Sequence, residues 1–177
     1  DHPDWAFPTV VEDAPAHLAA TALGHPLLPD DVRVPNDVVV GPPRTFLLVT
    51  GSNMSGKSTL LRALGVNTVL AQAGAPVCAR ALRLTPLILG TSIRVQDSLE
   101  RGVSYFMAEL QRLKDIVDAA ERAAATPSGP ALLFLLDEIL HGTNTAERQV
   151  AARLVVLRLV GCGAIGAVST HDLSLAA

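Results

Sequence analysis

Between Phe46 and Leu61 the chain reads FLLVTGSNMSGKSTLL, and no other stretch restricts its possible folds so tightly. The short apolar run Phe46–Thr50 has the length and residue types of a buried strand. It enters a glycine-bounded loop that opens directly on an apolar helical segment from about Lys57. The loop, Gly51-Ser52-Asn53-Met54-Ser55-Gly56-Lys57-Ser58, fits G-x-x-x-x-G-K-[ST] at every defined position, in the strand–loop–helix context the pattern requires. Glycines let the backbone wrap closely enough for its N–H groups to face phosphate oxygens, and the helix N-terminus adds partial positive charge. Read this way, Gly51 through Thr59 form a nucleotide-binding segment (a P-loop), with Lys57 reaching the β- and γ-phosphates of ATP or ADP and Ser58 ligating Mg²⁺.

Downstream of Arg44 short apolar runs alternate with helical periodicity. Strands are predicted at Phe46–Thr50, Leu87–Val95, Leu132–Leu136 and Ala164–Thr170, and helices from about Lys57, from about Tyr105 and through Leu159. Such alternation predicts an α/β fold, a P-loop NTPase with a mostly parallel sheet flanked by helices. In the helix after Ser104, Phe106, Leu110, Leu113 and Val117 recur at helical spacing, with Glu109, Arg112 and Asp115 elsewhere on the wheel. Eight of the 12 prolines precede Arg44, so the N-terminal region is expected to be proline-rich turns and short strands. At 177 residues the chain suits one domain with a substantial core.

A formal charge of −3, with Lys57 and Lys114 the only lysines, argues against a solitary nucleic-acid binder, because backbone affinity rests on clustered Lys and Arg. Any DNA is expected to be held by domains outside this chain. Cys78 and Cys162 lack CxxC or Cys/His spacing, which points to buried thiols and a reducing, cytoplasmic setting. The uncharged stretch between Arg62 and Arg80 contains Asn67, Thr68, Gln72, Gly74 and Pro76, so it reads as a buried helix and loop with no membrane contact. The opening DHPDWAFP has no signal-peptide character and no initiator Met, as expected of a piece of a longer protein.

The run Ala131–Leu136 stops abruptly at Asp137-Glu138. Carboxylates at the end of a buried strand must be solvated, paired or bound to metal, and ligands of doubly wound sheets sit at the carboxyl ends of strands. Asp137 is therefore a candidate for holding Mg²⁺ and Glu138 for polarising an attacking water as general base. An acidic residue directly after the Mg²⁺ aspartate suits hydrolysis better than the acceptor activation a small-molecule kinase needs. His171 follows the last predicted strand and either contacts the γ-phosphate or positions water, or is a surface or capping histidine. Ser104 either caps its helix or presents a hydroxyl to an anion; nothing local separates the two.

The order TGSNMSGKST, DSLERGVSYFMAEL, LLDEILHGTNTAER, STHDLSL resembles the ATPase domain of the MutS DNA mismatch-repair family, within the ABC-type ATPases. The likeness extends upstream through Gly24-His25-Pro26 and Val34-Pro35-Asn36-Asp37, covering roughly Leu23 to Leu175, and no LSGGQ-like transporter signature occurs. It implies residues 1–22 as an extension or linker and 23–177 as the ATPase domain, cut short at its C-terminus. It also implies phosphate and Mg²⁺ roles for Lys57 and Ser58, a metal and catalytic pair in Asp137 and Glu138, and a γ-phosphate histidine in His171. By the same resemblance Ser104 reaches the nucleotide of the opposite subunit, Gly142–Thr145 run along the dimer interface, and the functional unit is a homodimer with composite ATP sites. Ser52 and Ser55 replace a proline and a glycine of the usual family loop, and the DEILHGTN wording is closer to the short, divergent MutS-like proteins. The function implied is Mg²⁺-dependent ATP hydrolysis that drives DNA-related changes in a larger protein. The alternative is a nucleotide-dependent clamp with negligible hydrolysis.

Overall fold

The computed structural model describes residues 5–52, 54–93, 105–126, 128–140 and 145–171. Among these residues, eight strands and three helices follow in chain order: β1 (Thr9–Val10), β2 (Leu18–Leu23), β3 (Asn36–Val40), β4 (Phe46–Thr50), α1 (Lys57–Gln72), β5 (Ala81–Leu84), β6 (Leu87–Ser92), α2 (Tyr105–Ala124), β7 (Ala131–Asp137), α3 (Thr145–Gly161) and β8 (Ile165–Thr170). They form an α/β fold with two sheets. One has the order β4-β8-β7-β6 and is parallel throughout. The other, β1-β5-β2-β3, is mixed, with β1 parallel to β5 and the remaining pairs antiparallel.

The parallel sheet has helices on both faces, which is why β7 reads as an unbroken apolar run instead of an alternation. Leu133 and Leu135 join α1 and the mixed sheet in one core, with Leu61, Leu64, Leu84, Ile165 and Ala167. Leu132, Phe134 and Leu136 point the other way, into α2 and α3, where they meet Leu113, Ile116, Val156 and Leu159. Burial of each such side chain stabilises the fold by about 1.5–3 kcal/mol. A left-handed Gly163 (φ +81), a conformation costly for residues with a Cβ, turns α3 directly into β8, and Ala164 N–H donates to Leu159 O.

The packing revises the reading of α2. The buried stripe of α2 is Glu109-Leu113-Ile116-Ala120, and Phe106, Leu110 and Val117 only flank it. Glu109 thus lies on the core side of the wheel although its charge argues for solvent. The short strand β5, with its Ala-Leu-Arg-Leu pattern, was not foreseen. The strand expected over Leu87–Val95 is β6, Leu87–Ser92, and Arg94 and Val95 lie outside the described residues. Among the described residues, no helix is long and apolar enough to cross a membrane.

Candidate functional site

Strand order determines what meets at the carboxyl edge of the parallel sheet. Because β8 lies between β4 and β7, Thr50 pairs in register with Thr170, and Asp137 with Ser169. The residues that follow these strands (Gly51, Glu138 and His171) therefore emerge side by side. The loop after β4 closes on Gly56, the N-cap of α1, at φ +89 with open space where a Cβ would stand. Among the described residues no side chain caps this helix, and its first turn carries no acidic residue. Its first backbone N–H groups and its dipole are thus oriented for an anion in the place a capping oxygen usually takes.

Lys57 is the first residue of α1 and only 7% exposed. A buried ammonium must be compensated. Its Nζ donates to Gly51 O at 2.8 Å and to Ser52 O at 2.9 Å, and lies 3.5 Å from Glu138 Oε1. The same carboxylate oxygen is 3.6 Å from His171 Nδ1. The basic, acidic and imidazole groups singled out in the sequence are thus one cluster, reached from three different strands.

Glu138 holds its place with a backbone φ of +47, and Leu140 follows at +63. Left-handed conformations of non-glycine residues cost on the order of 1–3 kcal/mol each and persist where the surroundings over-determine them. Here Glu138 N–H donates to Ser169 O at 3.1 Å, and Leu140 N–H donates to Glu109 Oε1 at 2.7 Å.

Asp137, at the end of β7 and 9% exposed, accepts a hydrogen bond from Ser169 Oγ through Oδ1. Ser58 and Thr59 occupy the first turn of α1 and are half-buried. Among the described residues no three His, Cys, Asp or Glu side chains gather into a metal cage. Mg²⁺ does not need one, since it is commonly held by one or two carboxylates with waters and substrate phosphates. The hard oxygens of Asp137 and Ser58 suit that ion.

Beside the loop lies a cavity of about 460 Å³, walled by His25, Leu28, Val32 and Val34 on one side and by Ser55, Lys57, Thr59 and Leu60 on the other. Leu27 N–H donates to His25 Nδ1 at 3.2 Å. Burial, and secondarily the nearby Arg62 charge, hold this imidazole below its ordinary pKa, so it is neutral at neutral pH. Ser169, Glu109 and the walls around His25 carry no role in the sequence reading. Register with Asp137 is the signal for Ser169, but it requires knowing that β7 and β8 are neighbours. Met54 of the loop is fully exposed. Asn53, Ser104 and Gly142–Asn144 lie outside the described residues, and Thr145 opens α3.

Comparison with known proteins shows the family. Residues 47–177 match the family model described as MutS domain V. The chain is 34% identical over 174 residues to the DNA mismatch repair protein MSH6 of Arabidopsis thaliana, covering 92% of this chain and 12% of that protein. It is 40% identical over 147 residues to DNA mismatch repair protein MutS 1 of Haloarcula marismortui, covering 81% and 15%. With the endonuclease MutS2 of Thermomicrobium roseum it shares 34% over 168 residues, covering 93% and 20%. The chain spans a fifth or less of the length of these relatives. On the extent of the domain V match, this chain belongs to the MutS family.

Proposed function

We propose that the chain is a Mg²⁺-dependent ATP-binding and ATP-hydrolysing domain of a MutS-type protein, a P-loop NTPase in fold. The observation that carries this reading is the meeting of Lys57, Glu138 and His171 within 3.6 Å contacts beside an uncapped helix N-terminus. An ammonium beside anion-seeking N–H groups suits a polyphosphate, and a carboxylate next to it suits activation of water.

In this mechanism the triphosphate lies along the Gly51–Gly56 loop and the first turn of α1. Lys57 exchanges its contact with Glu138 for phosphate oxygens and neutralises their charge. Glu138, released from that pair, accepts a proton from a water molecule. The water oxygen bonds to the γ-phosphorus, the bond from that phosphorus to the β-phosphate oxygen breaks, and ADP and inorganic phosphate result. His171 orients the Glu138 carboxylate and the departing phosphate. When bound, Mg²⁺ held by Ser58 and Asp137 would neutralise charge on the phosphate oxygens. The nucleoside occupies the cavity lined by neutral His25, Val32 and Val34.

The names of the matched relatives carry the reading outward. Two are called DNA mismatch repair proteins and one an endonuclease. We therefore read the domain as the nucleotide-driven part of a larger DNA-handling protein, working as a homodimer in which Ser104 of one copy completes the ATP site of the other. The Leu140-His141 wording suggests a relative of the short, divergent MutS-like proteins.

The test is ATP binding and Mg²⁺-dependent hydrolysis by the full-length protein. Lys57→Ala should weaken ATP binding at least about tenfold, because it removes a charge-assisted contact. Glu138→Ala should retain binding while kcat falls about 10²–10⁴-fold, the usual contribution of a general base. Hydrolysis that survives both substitutions would remove this cluster from the chemistry, whereas tight ATP binding with no turnover by the unsubstituted protein would point to a nucleotide clamp.

A further inference from the structure

Glu109 is a charged side chain that hydrolysis, as described above, does not use, yet only 3% of it is exposed. It sits on the core-facing stripe of α2 beside Leu113 and Ile116, where a carboxylate is costly unless it serves a hydrogen bond. One bond it makes runs to another element: Oε1 accepts from the backbone N–H of Leu140 at 2.7 Å. That N–H belongs to the turn after β7, in which Glu138 and Leu140 both adopt left-handed backbone conformations. The turn is pinned on one side by Glu138 N–H to Ser169 O at 3.1 Å and on the other by Glu109. Between the two pins, the Glu138 side chain faces Lys57 and His171.

We propose that Glu109 is a positioning residue for Glu138: through Leu140 N–H it holds the turn in the strained conformation that aims the Glu138 carboxylate at the reacting centre. The inference rests on the hydrolytic reading of the site. It makes α2 a lever, because a shift of this helix moves the acceptor that fixes the turn, and with it the general base. A carboxyl oxygen suits this place because it accepts the N–H without needing a donor of its own. An amide oxygen at the same place still accepts the bond.

The experiment compares the full-length protein with its Glu109→Ala, Glu109→Gln and Glu138→Ala variants in three measurements: ATP affinity, kcat, and hydrogen exchange of the segment containing Leu140. Glu109→Ala should lower kcat at least about tenfold, as expected when a reacting group is misplaced by a fraction of an ångström or more. Its ATP affinity should change less than about twofold, because Lys57 and the loop are untouched. Exchange at Leu140 should accelerate by about tenfold or more as the turn loses its pin. Glu109→Gln should recover most of both losses, which a role confined to filling or charging the core would not produce. Unchanged kcat in Glu109→Ala, alongside a lost kcat in Glu138→Ala, overturns the proposal. If the unsubstituted protein does not hydrolyse ATP, the hydrolytic reading fails, and exchange at Leu140 then decides whether Glu109 holds the turn. Unaltered protection there overturns that too.

Discussion

Asn67, fully buried on α1, connects three parts of the chain with one amide. Its Nδ2 donates to Ala63 O at 2.8 Å and to Gly24 O at 2.9 Å, and its Oδ1 accepts from Cys78 N–H at 2.7 Å. The helix, the turn after β2 and the approach to β5 are thereby fixed to one another. Removing the amide would leave Gly24 O and Cys78 N–H buried without this partner, each costing about 1–3 kcal/mol. Asn67→Ala should therefore lose about 2–4 kcal/mol in urea denaturation, and a loss below about 1 kcal/mol would show that the connection carries little. His25, on the same side of α1, gives a pH signature. Its folded value lies below the ordinary 6.5, so the unfolded chain takes up the proton first and acid favours unfolding. Stability should fall as pH drops below about 6.5 and level off below the folded value; in His25→Gln, thermal midpoints measured from about pH 8 to about pH 5 should decline less steeply. Residue types singled out Lys57, Asp137 and Glu138 as candidates, because a motif or an abrupt strand end announces each of them. They could not reveal Asn67 or Glu109, whose importance comes from partners 43 and 31 positions away.

At the level of elements, Phe134 shows why the central strands carry glycine. Its register partners on either side are Gly90 of β6 and Gly166 of β8. A Cβ on Gly166 would fall on both the Phe134 ring and its carbonyl oxygen, whereas a Cβ on Gly90 would meet side chains, Ile116 at 3.0 Å and Leu132 at 3.5 Å. Backbone cannot yield as a flexible side chain can. Gly166→Ala should accordingly cost at least about 3 kcal/mol and resist rescue by Phe134→Leu, while Gly90→Ala should cost about 1 kcal/mol and be relieved by Ile116→Val. Equal penalties at the two sites in denaturant titrations would contradict this steric account. Strands such as β4, β7 and β8 were legible because each is a short apolar run with a clear stop. Their lateral order was not, since periodicity carries no information about neighbours, and it is this order that brings His171 beside Glu138. The mixed sheet was also hidden: β1 has two residues and β5 four, too few for a pattern to stand out.

For the molecule as a whole, the carboxyl edge of the parallel sheet presents a site that is closed below and open above. Lys57 is buried, but the Glu138 side chain is 27% exposed and that of His171 47%. Water at this open side weakens the electrostatic contacts on which hydrolysis depends, so a surface that closes over the nucleotide strengthens them. A second copy of the domain, bringing its Ser104 to the phosphates, is the closure that the MutS resemblance implies. On the proposed reading ATP should bind the dimer more tightly than the monomer, and by linkage it should promote dimerisation to the same degree. In the proposed cycle hydrolysis opens that dimer, so blocking it should trap the closed form. In the full-length protein Glu138→Ala with ATP and Mg²⁺ should therefore accumulate as dimer, and adding Ser104→Ala to that variant should weaken the dimer about tenfold, the scale of one charge-assisted hydrogen bond. Sedimentation velocity over a concentration series, with ATP, with ADP and without nucleotide, reads the association constant directly. A dimer population indifferent to nucleotide in the Glu138→Ala protein would break the connection between ATP and assembly, even if turnover by the unsubstituted protein is normal.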